Sequence, residues 1–152
     1  MTYPYFQGRL DITYDAQASK VLEANYWRVL NPLIFHISET EHVTIPAGYL
    51  TDGASVPRAF WSVVPPWGPY AAATTLHDLL CEYLSIIKDG KPCAITRERC
   101  DELLDIAMRT QDVDDDTRET IYKAVCLYRK VSGASAPTQN PTKRQLEAAW
   151  AA

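Results

Sequence analysis

The 152-residue chain has no apolar run approaching the roughly 18 residues that a membrane-spanning helix needs, so no transmembrane segment is expected. It has no basic surplus either. Fifteen Lys and Arg face nineteen Asp and Glu, a formal charge of −4, which argues against nucleic-acid binding, because covering phosphates needs a basic footprint. The four cysteines, Cys81, Cys93, Cys100 and Cys126, include no CxxC pair, so a zinc knuckle or a disulfide scaffold is not indicated. They read as small core residues kept reduced. The opening MTYPYFQGRLD carries neither the basic region nor the apolar run of a signal peptide, so export by a signal of its own is not expected.

What is present is an ordinary globular composition, 47% hydrophobic and 22% charged, enough apolar material for one core and too much for wholesale disorder. From residue 8 to about 45 the pattern has period two. Leu10, Ile12 and Tyr14 alternate with polar residues, Val43 and Ile45 flank Thr44, and β-branched and aromatic stretches lie either side of Asn31-Pro32. Three or four short antiparallel strands follow from this. The next segment, GYLTDGASVPRAFWSVVPPWGPY (48–70), is rich in glycine and proline. Asp52-Gly53 signals a tight turn and Ser55 caps a short helix ahead of Val56-Pro57. Trp61 and Trp67 read as packing residues.

Beyond Tyr70 the period becomes helical. Ala72, Leu76, Leu79, Leu80, Tyr83, Leu84 and Ile87 define a helix of about 17 residues, stopped by Lys88-Asp89-Gly90-Lys91-Pro92. A second helix opens at the N-cap Thr96 and ends near Thr110. A third follows Asp114-Asp115-Asp116, where Asp116 and Glu119 form a capping-box pattern, and turns Ile121, Val125, Tyr128 and Val131 inward. The stretch SGASAPTQNP (132–141) reads as linker, and Thr142 to Trp150 as a short helix with Leu146 and Trp150 on one face. So short a helix is marginal alone, and it is expected to dock on its own domain or on a partner. The predicted architecture is α+β: a small N-terminal antiparallel sheet followed by three packed helices over residues 1–132, then a linker and docking tail over 133–152.

Candidate chemistry centres on the first helix. His77 lies at the flank of its apolar stripe and Asp101 at the flank of the second helix, so antiparallel packing brings them together. A carboxylate that fixes an imidazole tautomer makes a general base, with His77 and Asp101 as the catalytic candidates. Asp78, turned about 100° from His77, points toward the loop, where Asp52 joins it as a ligand pair for a divalent cation, calcium or zinc. A zinc set of His77, Cys81, Cys100 and Asp101 is a further option, and a purely structural His–Asp pair stands beside all of these. His36 and His42 read as ordinary strand or loop residues.

The order Ile45-Pro46-Ala47-Gly48-Tyr49-Leu50-Thr51-Asp52-Gly53-Ala54-Ser55-Val56-Pro57, then Pro66-Trp67-Gly68-Pro69-Tyr70, then His77-Asp78, then Thr96-Arg97 with Cys100-Asp101 resembles a domain-of-unknown-function family, number thirteen-fifty-three, common in bacteriophages and prophages. The chain departs from that pattern with Cys81 where tyrosine is frequent and Cys100 where alanine is frequent. The resemblance implies a phage-type protein and a site shared by the loop and two helices, adding Thr51, Ser55 and Arg97 in supporting positions. It implies no known reaction. In arrangement alone the His-Asp helix is also similar to secreted phospholipases, without their disulfides or glycine-rich calcium loop. Two functions are therefore expected: a virion-associated tail or baseplate protein docking on other phage structural proteins through Leu146 and Trp150, or a metal-assisted hydrolase of envelope esters or amides. The expected location is the virion or the host cytoplasm.

Overall fold

The computed structural model describes residues 2–53, 67–133, 135–137 and 140–151. Among the described residues, eight strands and five helices follow in the order β1 (Tyr5–Gln7), β2 (Ile12–Tyr14), α1 (Ala16–Leu22), β3 (Trp27–Val29), β4 (Leu33–His36), β5 (Glu41–Ile45), β6 (Leu50–Thr51), α2 (Ala71–Tyr83), β7 (Ser85–Lys88), β8 (Lys91–Ala94), α3 (Arg97–Thr110), α4 (Asp115–Ser132) and α5 (Pro141–Ala151). The fold is α+β, with antiparallel sheets first and most of the helical structure after them.

Alternation explains the larger sheet, ordered β1-β4-β5-β7-β8. Leu33 and Phe35 of β4 are buried while Ile34 and His36 are half-buried, and Val43 and Ile45 of β5 are buried around an exposed Thr44. The register sets Phe35 opposite Val43 and Leu33 opposite Ile45, so one face is continuously apolar. On it lie Leu76 and Leu80 of α2, Leu103, Leu104 and Met108 of α3 and Ile121 of α4, in one core cluster with the strand residues. A smaller sheet, β2-β3-β6, pairs Trp27 with Thr51 and so holds the glycine-containing turn against α2. Among the described residues no helix is long and apolar enough to cross a membrane.

Four details differ from the sequence expectation. The first long helix stops at Tyr83, because Leu84 turns to φ 48° and its N–H returns to the Leu80 carbonyl. Residues beyond it form the β7–β8 hairpin, in which Asp89 and Gly90 sit at φ 52° and 75°, the two positive values that a tight two-residue hairpin turn requires. Lys88 to Pro92 is thus a hairpin and not a helix stop. The N-cap of α4 is Asp114, whose carboxylate accepts the Thr117 N–H at 3.0 Å, leaving Asp116 inside the first turn. Ile121 and Val125 face inward, but Tyr128 and Val131 are exposed, because the final turns of α4 run past the core. A short helix, α1, also interrupts the strand region, capped by Asp15 accepting from Ala18 at 2.8 Å. The expected short helix after Ser55, with Ser55 and Trp61, lies outside the described residues. Trp67 packs edge-on against Trp27 at 5.1 Å.

Candidate functional site

Residues 77 and 78 face two different environments, as adjacent positions on a helix must. His77 is buried, and its Nε2 meets Asp101 Oδ1 at 2.7 Å. The other Asp101 oxygen pairs with Arg129 Nε of α4 at 3.4 Å, and Cys81 Sγ lies 3.5 Å from His77 Nε2. Three helices are thereby tied through one carboxylate. Burial opposes a charge on the imidazole, but the Cys81 sulfur and the Asp101 carboxylate outweigh it and raise the pKa from 6.5 to about 10. Cys81 itself shares a hydrogen bond with Cys100, which together with burial pushes its thiol well up. The Asp101 carboxylate favours the protonated form of the imidazole. A general base must be able to take a proton, and this geometry keeps one in place.

Asp78 is half-buried and looks the other way, accepting from Thr51 Oγ1 at 2.9 Å. The same hydroxyl accepts the Gly53 N–H at 3.3 Å, with Gly53 at φ 72°. Thr51, Asp52, Asp78, Cys81, Glu82, Tyr26, Tyr49 and Lys143 line a cleft of about 210 Å³ between the small sheet, α2 and α5. His77 and Asp101 do not line it. Four carboxylates, Asp52, Asp78, Glu82 and Glu147, act electrostatically on Tyr26 here, and burial together with their charge raises its hydroxyl to about 12. Burial also raises Glu82, against the pull of Lys143. Tyr49, fully enclosed, is pushed far up by burial and by Asp78, Glu82 and Glu147.

The cation in this cleft comes from α5. Lys143, 5% exposed, places Nζ 2.6 Å from Glu82 and 3.1 Å from Glu147, 4.2 Å from the centre of the Tyr49 ring. Glu147 also accepts the Leu50 N–H at 2.8 Å. Arg28, pinned by Asp15 at 2.8 Å, donates to the carbonyls of Gly48 and Leu146 at 3.0 Å each and stacks under the Trp150 ring at 4.9 Å. Gly48, at φ 93°, has no room for a side chain: a Cβ there would sit 2.6 Å from Trp150 Cδ1. Leu146 and Trp150, candidates for docking on a partner, are thus engaged by their own domain in this structure.

The expected metal chemistry finds little support in the geometry. Among the described residues no group of three or more His, Cys, Asp or Glu side chains converges as a metal site. His77 Nε2 is taken by Asp101 Oδ1, and Asp101 Oδ2 faces Arg129. Asp52 and Asp78 share the cleft wall. Arg97 opens α3, half-buried, and does not line the cleft, while Ser55 lies outside the described residues. Sequence reasoning missed Tyr26, Tyr49, Glu82, Lys143 and Glu147. Three of these had a signal, since Glu82 follows Asp78 by four residues, as Glu147 follows Lys143, and that spacing puts each pair on one helix face.

A model of the family described as a protein of unknown function (DUF1353) matches residues 27–125, well over half of the chain. The chain belongs to this family. The match takes in β3 to most of α4, hence the His77–Asp101 pair and the sheet side of the cleft, and it leaves α5 outside. An uncharacterized protein, y4jT, of Sinorhizobium fredii (strain NBRC 101917 / NGR234) is 45% identical over 40 residues, a quarter of this chain and 12% of that protein. The chain thus overlaps only a small part of that relative. No solved structure matches.

Proposed function

We propose that the chain is a non-catalytic component of bacteriophage-type particles, a tail or baseplate protein or similar, in which His77–Asp101 is a structural lock and the acidic cleft a docking surface. The observation that carries the non-catalytic part is the enclosure of His77: the residue is 6% exposed, bonded to Asp101 at 2.7 Å, and outside the lining of the cleft. A hydrolase needs its base in reach of substrate. The particle-associated part rests on the loop and helix motifs that resemble phage and prophage proteins. The docking part rests on the lysine of α5 seated among carboxylates.

Two measurements test this. Mass spectrometry of purified particles, from an induced strain carrying the sequence, should find the polypeptide at a fixed ratio to the major structural proteins; its absence from particles would overturn the assignment. Purified protein offered chromogenic esters and amides, with and without calcium or zinc, should give no turnover above buffer. Turnover abolished by His77→Gln in a folded variant would instead establish the hydrolase.

A further inference from the structure

The contacts of α5 are those of a ligand with its receptor. Its polar anchors reach Arg28 of β3, Leu50 of β6 and Glu82 of α2, all far away in sequence. Arg144 stacks on Tyr83 of α2 at 4.5 Å. Among the described residues the apolar core of sheet and helices α2 to α4 takes no residue from α5, which lies over its edge at Tyr49. The connection is the stretch SGASAPTQN (132–140), small and polar in composition, with residues 135–137 exposed.

From this we propose that α5 is an exchangeable clamp: the α5 of one copy seats its Lys143 between Glu82 and Tyr49 of a second copy, building the chain into assemblies. The chemistry recognised is a primary ammonium carried on a helix, closed by an indole over the Gly48 backbone. A chain docked in trans makes the contacts seen in cis, so only the effective concentration of the tethered helix decides between them. A short tether holds its end at about millimolar. Copies packed side by side in an assembly reach the same range, and there the helix passes to its neighbour. This inference extends the docking role proposed above but does not need the particle, so a chain that exchanges α5 without being found in particles would fail that reading alone.

The test uses a complementary pair of full-length chains. In the donor, Gly48→Leu fills the space over which Trp150 lies, so its own cleft is blocked and its α5 is free. In the acceptor, Lys143→Met, Arg144→Ala, Glu147→Ala and Trp150→Ala together remove the side chains that hold its own α5 in the cleft. Each alone should be monomeric by analytical ultracentrifugation, and the mixture should form a 1:1 complex. Donor carrying Lys143→Met in addition should bind at least about a hundredfold more weakly, because Glu82 and Glu147 then lose their cation in a buried site. Absence of a complex between folded chains overturns the proposal, as does a complex indifferent to Lys143. Should Gly48→Leu fail to fold, a fluorescein-labelled peptide of residues 140–151 replaces the donor. Saturable, lysine-dependent anisotropy supports the exchange, and no binding overturns it.

Discussion

Asp101→Asn gives the most direct test of the lock. The substitution keeps the shape but removes the negative charge that faces His77 at 2.7 Å and Arg129 at 3.4 Å. The side chains of His77 and Asp101 are 7% and 4% exposed, so solvent cannot replace the lost partner. Removing one member of a buried pair costs about 3–5 kcal/mol, which for a chain of this size is about 6–20 °C in Tm, at about 2–4 °C per kcal/mol. Urea unfolding followed by tryptophan fluorescence reads the first quantity and calorimetry the second. The pH dependence is a separate check. His77 has a pKa raised in the folded state from 6.5 to about 10, so the folded chain binds more protons than the unfolded one between those limits. Its contribution is complete below pH 6.5 and is lost as the pH rises through about 10. Wild type should lose stability over this window and Asp101→Asn should lose much less. NMR of labelled histidine should show the His77 pKa falling in the variant, since burial lowers it and Cys81 alone then remains to oppose burial. A cost under about 1 kcal/mol, together with a flat alkaline profile in wild type, would refute the lock.

Other perturbations test neighbouring parts of the structure. Gly48→Ala should destabilise by about 1–3 kcal/mol through the clash and the positive φ, and adding Trp150→Ala should recover only the clash, as urea titrations of both variants will show. Asp114→Ala should lower Tm more than Asp116→Ala, because only Asp114 caps the Thr117 N–H; equal effects would restore the expected capping box. Native alkylation by iodoacetamide, followed by peptide mass spectrometry, should modify Cys93 and Cys126 before the buried Cys81 and Cys100. Rapid labelling of Cys81 would mean that the His77 region opens.

Much of the site was legible in the sequence. The flank positions of His77 and Asp101 on two successive apolar stripes put them at one seam, and the 100° step between His77 and Asp78 separated their surroundings. The hairpin after Tyr83 was legible too, in Asp89-Gly90 between β-branched and alternating residues, but the apolar period of α2 runs through Leu84 and Ile87 and masks it. The capping residue of α4 was ambiguous among three successive aspartates, because N-cap choice depends on which backbone N–H is left over.

The sequence by itself determined the class of fold, the strand faces, the helix starts at Thr96 and near Asp114, and the pairing of His77 with Asp101, because each follows from periodicity or from one local hydrogen bond. That His77 is sealed came only with the tertiary structure, since access depends on what Asp101 and Cys100 of α3 and Arg129 of α4 bring to it. The tertiary structure alone decided where α5 goes. Lys143 with Glu82, Arg28 with the Leu146 carbonyl and Trp150 over Gly48 join residues up to 118 positions apart, and no local pattern encodes a contact whose partners meet only after the chain has closed on itself.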